Sequence, residues 1–263
     1  MHMFKSSVLL AALVAQARAQ CPSVWTDVAT DLKTLFVGSD GTCTDDARAA
    51  IRLSFHDCWP GACDGSIILA DECGDRTENI QMVGICGTLG DMATDSGVGT
   101  ADLIQFAAAM GIAAAGGPSI TVKVGREDVS TANPENQMPT REDDAATLIS
   151  AFAAKGFSAT ELVALVGTHS AARDASGAAL DSTIGKMDSN FYNETAAGTA
   201  PTSLDSDRFL SNSSQTSSDW AKFGASSSAW STAFVPAMEK LSLLGNDEAS
   251  LTDCSSVLTA AFA

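Results

Sequence analysis

Positive charge, histidine and long apolar runs are all scarce in this sequence. Its 263 residues include 15 Lys and Arg against 32 Asp and Glu, which gives a formal net charge of −17. Such a chain is repelled by nucleic acids and by anionic membranes, so we expect neither as a partner. No apolar stretch reaches the length of about 20 residues that a membrane-spanning helix requires. The sequence therefore predicts a soluble protein.

The N-terminus has the pattern of a secretory signal peptide. A basic residue, a short apolar segment over residues 8–15 and an Ala-x-Ala cleavage site precede Gln20. We therefore expect residues 1–19 to be removed and residues 20–263 to form one extracellular domain. Two sequons for N-glycosylation fit that route: Asn193-Glu194-Thr195 and Asn212-Ser213-Ser214.

Histidine is rarer still once the signal peptide is removed. His2 leaves with it, and His56 and His169 remain, each at the end of an apolar helical pattern. One interpretation of either is a buried histidine that is hydrogen-bonded within the core. A structural zinc site would need thiolates, which a secreted protein tends to oxidise. The sequence also lacks Gly-x-Ser-x-Gly, which argues against a serine hydrolase, and Cys-x-x-Cys-His, which argues against a thioether-linked haem.

Seven cysteines in a secreted chain indicate disulfides with one thiol left over. The candidate pairs are Cys58–Cys63, Cys73–Cys86 and Cys21–Cys254, the last of which would join the two ends of the mature chain. Cys43 is then unpaired, either as a buried inert thiol or as a link to a second chain.

Helical patterns dominate the chain, so the predicted fold class is mainly α. They cover residues 24–36, 44–56, 101–115, 142–155, 158–169 and 229–244. Thr44 is a candidate N-cap, and Ser158 with Glu161 forms a capping box. Residues 172–218 are rich in Gly, Ser, Thr and Asp, which predicts mostly loop, and residues 120–124 give the one strand signal.

Residues 52–58 carry the most informative chemistry. In a helix, Arg52 and His56 lie one turn apart on the same face, so both can point into one pocket. A fixed cation beside a proton-accepting imidazole suits heterolytic cleavage of a peroxide O–O bond, where a proton moves and negative charge develops. A haem between two helical histidines would use both His56 and His169.

Both histidine segments resemble those of secreted plant and fungal haem peroxidases. Residues 52–58, followed by Ala62-Cys63-Asp64-Gly65-Ser66, are similar to the distal side of the haem, and ELVALVGTHSAAR at 161–173 is similar to the proximal helix. Residues 101–139 resemble the stretch that joins the two sites, and residues 243–258 resemble a fungal class II C-terminus. The chain is therefore identified as a secreted peroxidase of fungal class II type.

This resemblance implies two helical lobes, residues 20–140 and 141–263, with one non-covalent haem b between them. His169 would ligate the iron, and Asp207 would accept its ring N–H. His56 would move a proton between the peroxide oxygens, Arg52 would stabilise the developing negative charge, and Asn79 would accept the N–H of His56. The alternatives are that Asp207 is a helix cap and Asn79 an exposed loop amide.

The same resemblance implies two Ca²⁺ ions, each held by a mixture of carboxylate, hydroxyl and carbonyl oxygens. The distal ligands would be Asp57, Asp64, Ser66 and the carbonyl of Ala62. The proximal ligands would be Ser170, Asp181, Thr183, Asp188 and the carbonyl of Lys186. The alternative is that both segments are ordinary solvated acidic loops.

Special electron-donor sites of the family are incomplete in this chain. Asp45 matches one of three manganese ligands, but Ala49 and Ala175 stand at the other two positions, with Asp174 one residue away. A single carboxylate holds Mn²⁺ weakly. Ala164 occupies the position of the exposed tryptophan of lignin-oxidising relatives. We therefore expect a monomeric, generic peroxidase that reduces hydrogen peroxide and oxidises small phenolic or similar one-electron donors.

A rival interpretation is a non-catalytic, peroxidase-like calcium-binding protein that acts in surface or host interaction. The unpaired Cys43, a leucine at position 180 where relatives have an aromatic residue, and a short C-terminus favour it. The retention of Arg52, His56, His169 and Asp207 together favours the enzyme, because fold stability alone does not require that set.

Overall fold

The computed structural model describes residues 20–263, so the predicted signal peptide lies outside the described residues. The prediction of a mainly α fold is confirmed. The α-helices are α1 (Val24–Phe36), α2 (Asp45–Cys58), α3 (Ser66–Leu69), α4 (Glu72–Asp75), α5 (Val83–Ser96), α6 (Thr100–Ala114), α7 (Ala145–Ala154), α8 (Ala159–Leu165), α9 (Asn190–Ala197), α10 (Asp205–Asn212), α11 (Ser217–Ala225), α12 (Ser227–Ser242) and α13 (Ser255–Ala261). Three 3₁₀ helices cover Thr77–Met82, Val166–Ala171 and Glu248–Ser250.

Helices α2 and α6 form the centre of the N-terminal half. Helix α2 begins where predicted, because the Thr44 hydroxyl accepts a hydrogen bond from the backbone N–H of Ala47 at 3.2 Å. Helix α6 is buried along almost its whole length. The two helices approach closely at Gly111, where a Cβ atom would lie 2.7 Å from the carbonyl oxygen of Ala47. This packing fixes the helix that carries Arg52 and His56.

The helix predicted over residues 158–169 is shorter than expected. Its capping box is present, since Ser158 accepts from the N–H of Glu161 at 3.2 Å and Glu161 accepts from the N–H of Ser158 at 2.7 Å. The α-helix ends at Leu165 and continues as a 3₁₀ helix that carries His169. Trp230 Nε1 donates to the carbonyl of Ala164 at 3.0 Å, so a side chain satisfies a carbonyl released at this helix end.

Residues 172–218 are mostly loop, as their composition predicted, but short helices interrupt the loop. They contain α9, α10 and the start of α11. Large apolar side chains in this stretch and in the rest of α11 are buried, namely Phe191, Tyr192, Leu210, Trp220 and Phe223. Each such burial contributes about 1.5–3 kcal/mol, which outweighs the weak helix propensity of the intervening Ser, Thr and Asn residues.

Two further boundaries differ from the sequence expectation. Helix α7 begins at Ala145 and not at 142, because the Asp144 carboxylate caps it by accepting from the N–H of Thr147 at 2.8 Å. The strand predicted at 120–124 is reduced to β1 (Lys123–Val124), which pairs antiparallel with β2 (Thr252–Asp253). Trp220 and Trp230 are buried in the core.

Three disulfides join Cys21 to Cys254, Cys58 to Cys63 and Cys73 to Cys86, the same pairs that the spacing suggested. Cys43 is free and buried. Burial raises the pKa of its thiol, although the nearby Arg48 charge opposes that effect. A protonated, buried thiol fits the interpretation of an inert side chain better than that of a link to a second chain.

Within residues 20–263, no single helix combines the length and the apolar character needed to cross a membrane. Two bent helix pairs pass by length and composition alone: Thr77–Ser96 with Thr100–Ala114, and Ala145–Ala154 with Ala159–Ala171.

Candidate active site

The end of helix α2 presents His56 with a fixed ring orientation. His56 Nδ1 lies 2.7 Å from Asn79 Oδ1, and Asn79 Nδ2 donates to the carbonyl of Glu72 at 3.0 Å. Because the amide nitrogen of Asn79 is engaged with Glu72, its oxygen faces the ring and accepts the Nδ1–H of His56. Asn79 is 3% exposed, so it is not the exposed loop amide of the alternative interpretation. The arrangement leaves the lone pair of His56 on Nε2.

Arg52 lies one turn before His56, on the same face of α2. Its Nε atom donates to His56 Nε2 at 3.2 Å, and a second nitrogen donates to the carbonyl of Glu78 at 3.0 Å. Burial and the Arg52 charge lower the pKa of His56 to about 3, and the hydrogen bond with Asn79 opposes them only in part. His56 is therefore neutral at physiological pH and can accept a proton at Nε2.

His169 lies on the 3₁₀ helix that follows α8 and is paired with a carboxylate from α10. Its Nδ1 atom is 3.1 Å from both carboxylate oxygens of Asp207. Burial alone would lower the pKa of His169, but the charge and hydrogen bond of Asp207 outweigh burial, so the pKa is raised. The Asp207 side chain is 1% exposed and that of His169 is 29% exposed. Asp207 therefore engages Nδ1 and leaves the lone pair of His169 on Nε2.

Two residues in this region were missed by the sequence analysis. Gln81 Oε1 accepts from Arg52 at 2.6 Å, and Gln81 Nε2 donates to the carbonyl of Asp174 at 3.2 Å. Gln81 thus connects the segment of Arg52 to the chain that follows His169. Phe191 on α9 packs edge-on against His169, with ring centroids 5.7 Å apart. A glutamine two residues after Asn79 carries no motif, so only the tertiary contacts identify it.

Arg52 connects the two histidine segments. It donates to His56 Nε2 at 3.2 Å and to Gln81 at 2.6 Å, and Gln81 donates to the carbonyl of Asp174, in the chain that follows His169. The Nδ1 atoms of the two imidazoles are held by Asn79 and Asp207 respectively.

The sequence is similar to those of known peroxidases. The sequence profile described as peroxidase matches residues 24–226, which is more than half of the chain. The chain belongs to the peroxidase family. Membership implies a haem cofactor, with hydrogen peroxide and a reducing substrate as reactants.

Several individual peroxidases are similar to most of this chain. Manganese peroxidase 3 of Phlebia radiata is 31% identical, over 83% of this chain and 71% of the relative. Versatile peroxidase VPS1 of Pleurotus eryngii is 30% identical, over 87% of this chain and 72% of the relative. A peroxidase of Arthromyces ramosus is 29% identical, over 93% of this chain and 78% of the relative.

The residues of this peroxidase fit a haem. A neutral imidazole nitrogen is the usual axial donor to haem iron, and a carboxylate that holds the other ring nitrogen fixes the tautomer and strengthens the donor. His169 and Asp207 have that arrangement, and the His169 side chain is partly exposed. His56 and Arg52 add a proton acceptor and a cation.

The predicted distal calcium residues lie at the end of α2 and in the segment that follows it. Asp57 is fully buried and accepts from the backbone N–H of Gly65 at 3.2 Å. Burial raises the pKa of Asp57 to about 8, and the nearby charge of Asp64 adds to the increase. The N–H of Ser66 donates to Asp64 at 3.0 Å, and Ser66 Oγ accepts from Asn133, another residue that the sequence analysis missed, at 2.7 Å. The remaining candidate, Ala62, packs against Gly245.

Three of the predicted proximal calcium residues form a connected cluster. Thr183 Oγ1 lies 2.6 Å from Asp181 Oδ1 and 2.9 Å from Asp188 Oδ2. Asp181 is fully buried, its Oδ2 atom has no hydrogen-bond partner among the described residues, and burial raises its pKa. The hydroxyl of Ser170 instead donates to the carbonyl of Gly167 at 2.9 Å, and the N–H of Lys186 donates to the carbonyl of Thr183 at 2.8 Å.

These two sets mix carboxylates with hydroxyl and carbonyl oxygens, as calcium sites do. Over residues 20–263 no group of three or more His, Cys, Asp and Glu side chains is arranged to hold a metal ion. A buried carboxylate oxygen without a partner in the proximal set nevertheless fits a cation, because an uncompensated buried carboxylate is costly.

Proposed function

We propose that this chain is a secreted haem peroxidase that reduces hydrogen peroxide and oxidises small phenolic or similar one-electron donors at the haem edge. One non-covalent haem b would lie between His56 and His169. The observation that carries the proposal is the different pairing of the two imidazoles: His56 is held by a neutral amide beside a guanidinium, and His169 by a buried carboxylate. A core that needed only packing would not require this asymmetry.

The distal residues would manage the proton of the peroxide. His56 Nε2 takes a proton from the oxygen that approaches the haem, and the same nitrogen returns it to the departing oxygen. Asn79 keeps the other ring nitrogen protonated, so that Nε2 stays basic. Arg52 places positive charge where negative charge develops on the peroxide oxygens. The haem iron would supply the electrons that cleave the O–O bond.

The proximal residues would hold the haem and set its electron density. His169 Nε2 is the proposed iron ligand, and the carboxylate of Asp207 accepts the N–H at Nδ1. This bond gives the imidazole anionic character, which favours oxidation of the iron over its reduction.

We propose a generic range of electron donors because the residues of the family's special donor sites are either absent or hydrogen-bonded to other side chains. Asp45, the one retained manganese position, accepts from Arg48 at 2.5 Å and from Arg173 at 3.1 Å. Asp174 accepts instead from the hydroxyl of Ser176 at 2.6 Å and from the N–H of Ala178 at 2.9 Å. Two cations beside Asp45 compete with Mn²⁺, so a weak site at best is expected, although two of the similar proteins are named for manganese or versatile activity.

Two Ca²⁺ ions are proposed to hold the ends of the histidine segments. Asp57 directly follows His56, and Ser170 directly follows His169. A cation bound at each set would compensate the buried carboxylates of Asp57 and Asp181 and restrain the backbone beside each imidazole. The three disulfides and the predicted signal peptide support secretion, and we propose a monomer with distal and proximal lobes over residues 20–140 and 141–263.

Absorption spectroscopy of the protein reconstituted with haem and Ca²⁺ tests the proposal. We expect a ferric Soret band that shifts within one turnover after stoichiometric hydrogen peroxide and returns when a phenol is added. His56→Ala should retain haem but react with peroxide about 10²–10⁴-fold more slowly, whereas His169→Ala should lose stable haem binding.

Haem that fails to bind, or that binds and only bleaches with peroxide, would instead support the non-catalytic calcium-binding alternative. An unchanged peroxide rate in His56→Ala would contradict the distal assignment while leaving haem binding intact.

A further inference from the structure

An open groove lies on the surface between the start of α7 and helix α10, outside the histidine site. It has a volume of about 500 Å³, and its lining includes Asp144, Asp205, Arg208, Phe209 and Asn212. Phe209 is 45% exposed and is the one aromatic residue among the large apolar side chains that are exposed in the described part of the chain. An exposed aromatic ring inside a polar groove needs a partner that is itself partly apolar and partly polar.

The asparagine of one sequon stands at the rim of this groove. Asn212 is exposed and is the last residue of α10, and the backbone becomes extended at Ser213, with φ −72° and ψ 136°. Ser214 then begins a turn, and Asn212 Nδ2 donates to the carbonyl of Arg208 at 2.8 Å, a contact within its own helix that does not join two helices. Phe209 precedes Asn212 by three residues, so the two side chains share one face of the helix.

The second sequon has a different environment. Asn193 lies inside α9, and its amide nitrogen donates to the carbonyl of Gly224 at 2.9 Å. Its amide oxygen packs against the same glycine: a Cβ atom added to Gly224 would lie 2.5 Å from that oxygen. Thr195, the third residue of that sequon, is buried. A sugar attached to Asn193 would break this contact between α9 and α11.

We infer that Asn212, and not Asn193, carries an N-linked glycan whose first N-acetylglucosamine packs on Phe209 in the groove. The reaction joins Nδ2 of Asn212 to C1 of that sugar. The bond between C1 and a phosphate oxygen of a lipid-linked oligosaccharide donor breaks, the lipid diphosphate leaves with the electron pair, and Nδ2 releases one proton. The attachment fixes the occupant of the groove, because the sugar is tethered at its rim.

The chemistry of the groove matches both sides of a sugar ring. The C–H face of a pyranose carries partial positive charge and stacks on the negative face of an aromatic ring. Its hydroxyl and acetamido groups can bond to the carboxylates of Asp144 and Asp205 and to Arg208, which is held by Asp205 at 2.8 Å. Covering Phe209 also removes its exposed apolar surface from water.

Peptide mapping and thermal unfolding of protein secreted from a yeast host test this inference. Endoglycosidase H trims such glycans to a single N-acetylglucosamine, which mass spectrometry should find on the peptide that contains Asn212 and not on the peptide that contains Asn193. Ser214→Ala removes the sequon and keeps the asparagine. We expect its Tm to lie below that of the trimmed wild type by about 2–4 °C, the shift expected for one lost stacking contact in a protein of this size.

The variant Phe209→Ser, which lacks the proposed aromatic contact of the sugar, is the control background for Ser214→Ala. Its side chain is exposed, so the fold does not depend on it, and in this background Ser214→Ala should no longer lower the Tm. An unmodified Asn212 in the secreted protein, or a glycan at Asn193, would overturn the choice of site. A Tm difference of the same size with and without Phe209 would overturn the packing of the sugar.

Discussion

Replacing Asp207 by asparagine removes the negative charge that faces His169 without changing the size of the side chain. Asp207 is 1% exposed and both of its oxygens lie 3.1 Å from His169 Nδ1, so water cannot take over the lost interaction. A hydrogen bond to a charged group contributes about 1.5–3 kcal/mol, and loss of such a partner weakens metal retention by about 10–100-fold. The amide can also donate to Nδ1, which would move the ring proton to Nε2 and remove the lone pair that faces the haem.

The assay is haem transfer from the reconstituted protein to an excess of apomyoglobin, followed at the Soret band, together with the midpoint potential of the iron. We expect Asp207→Asn to release haem about 10–100-fold faster and to raise the potential, because the imidazole becomes a weaker donor. The matched control is Asp205→Asn, two residues earlier on α10. Asp205 pairs with Arg208 in solvent, so its loss should change neither quantity.

Unchanged haem release and an unchanged potential in Asp207→Asn would refute the assignment of this pair to the haem. An equal effect in Asp205→Asn would show that the change acts through α10 as a whole and not through the imidazole.

Three further predictions concern the proton acceptor, the cations and the bridge between the two sides. Because burial and the Arg52 charge lower the pKa of His56 to about 3, the peroxide rate should stay constant through neutral and mildly acidic pH and fall only near that value. Stopped-flow measurements with Arg52→Leu should move this acidic limb to higher pH, and an unmoved limb would contradict the electrostatic argument. Removal of Ca²⁺ by a chelator should lower the Tm, since ligand at 100 times its Kd adds about 2.7 kcal/mol to stability, and Asp181→Asn should make the Tm much less sensitive to Ca²⁺. Gln81→Ala frees Arg52 from one of its anchors, so the peroxide rate should fall while haem release stays unchanged; faster haem release would instead assign Gln81 to the proximal side.

Local features of the fold were predictable where a few neighbouring residues decide them. Thr44 and the capping box of Ser158 and Glu161 begin their helices as expected, because each cap is a hydrogen bond within three residues. The spacing of Arg52 and His56 put them on one helix face for the same reason, since helical periodicity acts over a single turn.

Features of the fold that depend on residues far apart in the chain were harder to predict from the sequence. The polar composition of residues 172–218 correctly predicted mostly loop but gave no sign of α9 and α10, where Phe191, Tyr192 and Leu210 are buried against other parts of the fold. The change from α-helix to 3₁₀ helix before His169 similarly depends on side chains of other helices, such as Trp230, that take up the released carbonyls. Nothing within the segment itself encodes those partners.

The candidate active site likewise has some features that short segments of sequence predict and others that depend on tertiary contacts. The sequence by itself determined the residue types, the secretory pattern and the two histidine motifs, since these are properties of short segments. The family resemblance predicted Asn79 and Asp207 as the partners of His56 and His169 but left other roles open for both, and the tertiary structure showed that they hold the two rings across 23 and 38 residues of chain. Only the tertiary structure revealed the hydrogen bonds of Gln81 to both sides. Hydrogen bonds between residues so far apart in the chain form only when packing removes the alternatives with water, and a short segment of sequence does not contain that packing.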